Sequence, residues 1–216
     1  MKKKHALLSL CILLCFWQCD SPKKEISQST TAVLGLISQK AMVVSAREEA
    51  SRIGSEIMQQ GGNAFDAMVA TEMALAVCYP NAGNLGGGGF MVYRTHQGEV
   101  GALDYREKAP LRANRDMYLD ENKKYLQDKS KTGGLAVGVP GTIAGIFKAH
   151  KRFGSLPMQT ILRPVILLAK NGFKITEKQA KQFNDYSAVF KQVNQENSIY
   201  TKKFKPGDLF ENKALA

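Results

Sequence analysis

Few residues in this sequence have the chemistry for catalysis, and most of them lie in segments that favour structural roles. The three histidines are His5 in a leader, His96 in a turn and His150 near a predicted helix end. They supply neither a Ser-His-Asp triad nor a metal-ligand cluster. Cys78 lies in an apolar run, which indicates a buried thiol rather than a nucleophile. The sequence gives no reason to expect a metal or an organic cofactor.

Arg106 is the side chain best suited to binding a ligand. It follows an apolar run, and a guanidinium at the end of a strand offers a planar fork for two-pronged contact with a carboxylate. Its sequence neighbours Asp104 and Glu107 could occupy that fork in an ion pair. From the residues alone, the ion pair is the preferred interpretation.

The first nineteen residues predict a leader that exports the chain. Three lysines at its start precede an apolar stretch that is too short to span a membrane, as in a signal peptide. Cys19 lies where this stretch gives way to polar sequence and is similar to a bacterial lipoprotein processing site, although no small residue directly precedes it. We expect a signal peptide over 1–19, lipid attachment at Cys19, a tether over 20–39, and a location in the periplasm or cell envelope.

The basic charge of the chain does not indicate a nucleic-acid partner. The formal net charge is +11, but the lysines and arginines are scattered in short pairs along the chain. Nucleic-acid binders concentrate basic residues on one face, with aromatic residues between them where single strands stack. We expect a solvated basic surface and no bound nucleic acid.

Three segments resemble the γ-glutamyltransferase family, also called γ-glutamyltranspeptidase or glutathione hydrolase. They occur in the order and spacing typical of that family. The resemblance continues through two shorter stretches downstream. The three segments are 61–67 (GGNAFDA), 84–91 (NLGGGGFM) and 104–110 (DYREKAP), and the shorter stretches are 139–142 (VPGT) and 167–173.

The resemblance covers about residues 40–216 and corresponds to the N-terminal part of the family's large subunit, truncated at its C-terminal end. It implies an α/β (α+β) fold of the N-terminal-nucleophile hydrolase type, a four-layer αββα sandwich that is incomplete in this chain. Such precursors cut themselves and expose a threonine whose own α-amino group acts as its base. The resemblance places that threonine beyond Ala216, so we expect no catalytic residue in this chain and no activity from it alone.

The resemblance also implies roles for two residues, a reaction and a partner. Arg106 matches the family arginine that holds the α-carboxylate of the γ-glutamyl group, and Glu107 is expected to support it. The implied reaction is γ-glutamyl transfer from glutathione and related compounds to water or an amino acid, through an acyl-enzyme. The implied partner is the small subunit produced by self-cleavage, and membrane contact is expected through the lipid anchor alone.

Two alternatives to this function stay open at the level of sequence. One is a related acylase of the same superfamily, such as a cephalosporin acylase or a poly-γ-glutamate depolymerase. The other is a lipid-anchored binding protein that has kept the fold without catalysis.

Periodicity predicts the elements that position the candidate residues. Residues 42–44 read as a strand, and Ser45 with Glu48 reads as a capping box for a helix that ends at Gly61. Asn63 is expected to cap a second, alanine-rich helix. A β-hairpin should follow the glycine run 86–89, which we interpret as close packing rather than as an anion-binding nest.

Downstream of the hairpin the pattern continues to mix strands and helices. We expect a strand over 135–139, a helix capped by Thr142 that runs to about Arg152, and a helix over 158–170. Thr176 should open the next helix, and residues 209–216 read as the start of another.

Overall fold

The computed structural model describes residues 35–194 and 198–216. Lys40–Ala216 forms one compact unit. Of the unit Met1–Gln39, residues 35–39 are described, and they form neither helix nor strand. The predicted leader, with Cys19, lies outside the described residues. Within the described ranges, no helix is both long enough and apolar enough to cross a membrane.

The compact unit combines α-helices with short antiparallel strand pairs. Strands β1 and β2 form a hairpin, with Phe90 opposite Asp104, and β3 pairs with β4. In chain order, the helices and strands are α1 (Glu48–Gln59), α2 (Ala64–Cys78), β1 (Phe90–Arg94), β2 (Val100–Asp104), α3 (Thr142–Phe153), α4 (Met158–Asn171), β3 (Phe173–Lys174), α5 (Glu177–Asn194) and β4 (Leu209–Phe210).

Helix α2 lies at the centre of the core and packs against α1, α3 and α4. Its sequence is apolar around most of its circumference, which is typical of a helix enclosed by other elements. Ala67, Ala70 and Ala74 are buried, and their small side chains allow the neighbouring helices to approach closely. The alanine-rich face of α2 therefore belongs to the core.

The N-terminus of α2 is held by the predicted Asn63 cap. The Asn63 side chain accepts hydrogen bonds from the backbone N–H groups of Phe65 and Asp66, and the Asp66 carboxylate accepts from the N–H of Asn63. Asp66 is fully buried and also accepts from Ser155 and the N–H of Leu156. This carboxylate therefore ties α2 to the loop between α3 and α4.

The start of α1 differs from the prediction. Residues 42–44 pair with no described strand, and α1 begins at Glu48 with Arg47 at the cap position and no side-chain cap. The Ser45 hydroxyl donates to the carbonyl of Arg47 and contacts the hydroxyl of Ser51. The predicted capping box is wrong because Ser45 lies two residues before the position that a cap must occupy.

Two other predicted elements are also wrong. The predicted strand over 135–139 is absent. Gly134–Ala136 forms a 3₁₀ turn instead, and Val139 makes a single bridge to Lys108. Residues 209–216 contain β4 rather than a helix, because Phe210 packs beside the Phe173 ring of β3. In both places, tertiary pairing decides the local conformation.

The cap of α3 is a further correction. Gly141 occupies the cap position, while the Thr142 hydroxyl donates to the side-chain oxygen of Asn84. Thr142 is fully buried, so its hydroxyl serves a tertiary contact instead of the end of its own helix. The remaining predicted helices and the hairpin are confirmed, with Gly61, Gly98 and Gly172 in the left-handed region where a turn requires it.

The hairpin has apolar side chains on both faces. Met91 is buried beneath it, whereas Phe90, Val92 and Val100 are exposed on the opposite face. Two-sided apolar strands are typical of a sheet that is covered on both sides. The described residues cover one of these two faces.

Asp66 gives a test of what holds this core together. Burial by itself raises the pKa of the Asp66 carboxyl, but hydrogen bonds from Ser155, Asn63 and Leu156 outweigh it and leave the pKa below its ordinary value. Replacing Asp66 by Asn should lower the free energy of unfolding by about 2–3 kcal/mol, since charged acceptors form the stronger hydrogen bonds. Urea unfolding followed by circular dichroism measures this change.

The matched control is Asp185→Asn, because Asp185 forms an exposed ion pair with Lys181 on α5. That change should lower the free energy of unfolding by less than about 1 kcal/mol.

The pH dependence of the Asp66 contribution provides a second readout. Because the folded pKa is depressed, the Asp66 contribution is present above the unfolded pKa of about 4 and is lost as the pH falls through the folded value. The Asp66→Asn protein should lack this acid-sensitive contribution, and equal acid sensitivity of the altered and unaltered proteins would contradict the assignment.

Candidate functional site

Arg106 lies two residues beyond the end of β2, where the chain leaves the hairpin. Its backbone N–H donates to the Asp104 carboxylate at 2.9 Å. Aspartate side chains commonly bond the backbone two residues ahead, and the bond turns the chain at this point. Asp104 therefore fixes the backbone of Arg106, and the structure shows no ion pair between Asp104 and the Arg106 guanidinium.

The guanidinium of Arg106 is largely free to meet a ligand. The side chain is 63% exposed, and its Nε lies 3.6 Å from the nearer oxygen of Glu107. The guanidinium carbon lies 5.6 Å from the centre of the Phe90 ring. An exposed contact at this distance contributes little to stability. Among the described residues, no side chain forms a hydrogen bond to the guanidinium, so its planar fork is available.

The backbone of residues 105 and 106 runs against glycines from two other parts of the chain. A Cβ atom on Gly88 would lie 2.7 Å from the Cα of Arg106, and one on Gly141 would lie 2.7 Å from the carbonyl oxygen of Arg106. Both distances are too short for a real side chain. The N–H of Gly141 also donates to the carbonyl of Gly87 at 2.8 Å, which joins the two glycine segments.

The glycine run packs as the sequence predicts. Gly87 lies against the Asn84 side chain, Gly88 against the backbone of Arg106, and Gly89 against the Tyr105 ring, while Gly86 faces open space. The interpretation as close packing is therefore confirmed for three of the four glycines.

A cleft of about 520 Å³ surrounds Arg106 between the end of the hairpin and α3. Three basic residues, Arg106, Lys108 and Lys148, lie along it, with Glu107 as the nearest acid to the guanidinium. The cleft combines positive charge with a directional guanidinium, a combination that suits a small carboxylate-bearing ligand. The remaining lining residues are Leu103, Asp104, Tyr105, Val139, Pro140, Gly141, Ala144 and Gly145.

Tyr105 and Glu72 form a contact that the sequence did not predict. The Tyr105 hydroxyl donates to the Glu72 carboxylate, with oxygen distances of 3.1 and 3.3 Å. Burial raises the pKa of Glu72, although the hydrogen bond from Tyr105 acts in the opposite direction. Burial and the neighbouring Glu72 raise the pKa of Tyr105 to about 12. A single carboxylate within an otherwise apolar stretch of α2 was the available signal.

The other reactive side chains have structural surroundings. Cys78 is fully buried, which confirms the prediction of a buried thiol, and burial raises the pKa of the thiol to about 11. The Thr71 hydroxyl donates to the carbonyl of Ala67 within α2. A His150 ring nitrogen lies 2.8 Å from the carbonyl oxygen of Leu156. Across the described ranges, no group of three acidic, histidine or cysteine residues could hold a metal ion.

Solved structures define the class of the fold. The chain superposes on the γ-glutamyltranspeptidase of Helicobacter pylori with a TM-score of 0.79 and 38% identity, over 84% of this chain and 53% of that one. The enzyme from Pseudomonas nitroreducens gives a TM-score of 0.77 and 39% identity, over 83% of this chain and 53% of that one. The fold is therefore a mixed α/β fold of the N-terminal-nucleophile hydrolase type, incomplete in this chain.

Sequence comparison identifies the family. The γ-glutamyltranspeptidase family model matches residues 50–216. The glutathione hydrolase proenzyme of Pseudomonas sp. strain A14 is 42% identical over 82% of this chain and 32% of the relative. The Escherichia coli proenzyme is 41% identical over 78% of this chain and 29% of the relative. The chain belongs to the γ-glutamyltranspeptidase family and spans about a third of the length of these curated relatives.

More distant structures share the fold alone. A transpeptidase of Bacillus anthracis is 23% identical with a TM-score of 0.65, over 82% of this chain and 56% of that one. A cephalosporin acylase of Bacillus halodurans is 21% identical with a TM-score of 0.63, over 86% of this chain and 37% of that one. At these identities the likeness gives no support to the acylase alternative.

The packing of the glycine run leads to a paired prediction. Gly88→Ala should lower the free energy of unfolding by about 1–3 kcal/mol, because the added methyl group forces the Arg106 backbone to move. Gly86→Ala should change it by less than about 0.5 kcal/mol, since that methyl group would meet open space. Urea unfolding followed by circular dichroism measures both. Equal losses in the two variants would show that the close contact at Gly88 is unimportant.

Proposed function

We propose that the protein containing this segment transfers and hydrolyses γ-glutamyl groups of glutathione and related compounds. Membership of the γ-glutamyltranspeptidase family supports the proposal, as does the name glutathione hydrolase that its relatives carry. The structural observation that carries it is the Arg106 guanidinium, which is exposed in a cleft with two further basic residues and makes a single long contact of 3.6 Å, through its Nε, with Glu107.

In this proposal Arg106 binds the α-carboxylate of the γ-glutamyl group. Two parallel N–H groups of the guanidinium donate to the two carboxylate oxygens, which gives direction as well as charge. The Glu107 contact lies on the Nε side, and the Phe90 ring packs near the guanidinium. Glu107 therefore helps to orient the group. A simple amide lacks the α-carboxylate and cannot form this interaction with the guanidinium. The cleft therefore selects glutamyl compounds over simple amides.

The chemical step in this proposal uses a threonine located beyond residue 216. Its hydroxyl attacks the γ-amide carbon, the amine leaves with a proton, and an acyl-enzyme forms. Water or the amino group of an amino acid then attacks the acyl carbon and regenerates the threonine. The relatives are named proenzymes, which supports a precursor that is cut once. The resulting small subunit is the proposed partner of this segment.

Export and a lipid anchor complete the proposal. The basic start, the apolar stretch and Cys19 support a signal peptide over 1–19, acylation at Cys19 and a tether that leads to residue 40. The compact unit then lies in the periplasm or at the cell envelope.

Cys19→Ser tests the anchor. The hydroxyl cannot replace the thiol as the site of acylation, so metabolic labelling with a radioactive fatty acid should be lost. Fractionation should then show either an unprocessed precursor or a protein released from the membrane. Cys15→Ser, within the apolar stretch, is the control and should keep the label. Full labelling of the Cys19→Ser protein would place the anchor elsewhere.

Arg106→Lys in the complete gene product tests the carboxylate clamp. Lysine keeps the charge but loses the planar fork. The change should lower kcat/KM for a γ-glutamyl anilide by about tenfold to a hundredfold, the range expected from losing a charged hydrogen bond. Self-cleavage should continue, because it involves no free α-carboxylate. Release of the anilide product and gel analysis of subunit formation measure the two activities.

Arg115→Lys is the matched control, since Arg115 is 97% exposed and makes a long contact of 3.7 Å with Asp116. It should leave turnover and maturation unchanged. The chain that ends at Ala216 serves as the negative control and should release no product. Normal turnover after Arg106→Lys, or failure to mature, would contradict the assigned role. Complete absence of turnover in the unaltered gene product would favour a binding protein without catalysis.

A further inference from the structure

The side chain of Tyr105 is confined on two sides by glycines. A Cβ atom on Gly89 would lie 2.7 Å from the ring carbon Cε2, and one on Gly145 of α3 would lie 2.7 Å from Cδ1. Any larger residue at either position would displace the ring. The ring therefore occupies a slot between the start of β1 and α3, and its hydroxyl reaches α2.

Glu72 receives the Tyr105 hydroxyl at the far end of this slot. The carboxylate is half-buried beside Met68, Leu75 and Phe90, which line the same groove. This carboxylate accepts a hydrogen bond from the Tyr105 hydroxyl. An apolar pair of the same shape would pack here without the free-energy cost of desolvating a carboxylate. The polar pair therefore stabilises the fold less than an apolar pair would.

Tyr105 is linked to Arg106 through a closely packed backbone. Tyr105 directly precedes Arg106, and Gly141 packs against the carbonyl oxygens of both residues. Gly88 packs against the Cα of Arg106, and the Asp104 carboxylate holds its N–H. The Tyr105 ring and the Arg106 guanidinium are therefore attached to one closely packed backbone segment. A binding group must be held to within about half an ångström by its supporting residues.

We propose that the hydrogen bond from Tyr105 to Glu72 fixes the position of Arg106, so that Glu72 is a positioning residue for the carboxylate clamp. This inference rests on the proposed function of Arg106. Glu72 does not touch the substrate. It fixes the ring, the ring fixes the peptide, and the peptide sets where the guanidinium meets the α-carboxylate.

The test compares Glu72→Met and Tyr105→Phe in the complete gene product. Each substitution removes one partner of the hydrogen bond while keeping a side chain of similar length or shape. Each should raise the KM for a γ-glutamyl anilide by about threefold to tenfold, the range of one lost hydrogen bond, with kcat within about twofold. Glu72→Gln should restore the wild-type KM to within about twofold, because its amide oxygen still accepts from Tyr105.

A control for general damage to the core is Ser155→Ala. It removes a hydrogen bond to the buried Asp66 at the other end of α2. This variant should unfold at lower urea concentration and keep the wild-type KM. If Ser155→Ala raises the KM as much as Glu72→Met does, the effect reports core stability and the positioning role is wrong.

A double-mutant cycle with Arg106→Lys separates this inference from the function on which it rests. In the Arg106→Lys background, Glu72→Met should change the KM by less than about twofold, because the fork that it positions is already gone. If Arg106→Lys alone leaves turnover unchanged, the proposed function fails. If Arg106→Lys impairs turnover but Glu72→Met leaves the KM unchanged, or raises it equally in both backgrounds, the positioning role is wrong and the clamp stands.

Discussion

Close backbone contact at the end of the hairpin is the constraint on which the candidate site depends. Gly88 and Gly141 approach the peptide of Tyr105 and Arg106 so closely that neither position could carry a side chain. The carbonyl of Gly87 accepts from Gly141, which holds the two glycine segments together. Glycine is favoured wherever backbones meet at such short distances. The guanidinium is therefore exposed at its tip but attached to a backbone that has little room to move.

Helix α2 supports this arrangement with two carboxylates in contrasting surroundings. Asp66 at its start receives several hydrogen-bond donors, and its pKa is lowered despite burial. Glu72, further along the helix, receives one hydroxyl, and its pKa is raised. Burial raises the pKa of both carboxyls; the hydrogen bonds to Asp66 together outweigh it, whereas the single hydrogen bond to Glu72 does not. One end of α2 thus stabilises the core, while the next turns face the segment that carries Arg106.

Much of the fold was predictable because its signals are local. The Asn63 cap, the hairpin around Gly98 and the buried Cys78 each follow from a few adjacent residues. Residues 135–139 and 209–216 were assigned wrongly because their conformation depends on distant partners, Lys108 and Phe173. The same limit applies to the candidate site. Arg106 was found through a motif, whereas the bond between Glu72 and Tyr105 joins residues 33 positions apart, and a lone carboxylate in an apolar stretch does not identify its partner.

In the proposed carboxylate clamp, the exposure of Arg106 determines how ionic strength affects ligand capture. Mobile ions screen an exposed charge beyond a Debye length of about 10 Å at 0.1 M salt, so the guanidinium exerts little attraction across open solvent. Its preference for a carboxylate then develops at contact, where the fork replaces water with two directed hydrogen bonds. The proposed clamp would discriminate by shape at short range and keep that discrimination when the salt concentration around the protein changes.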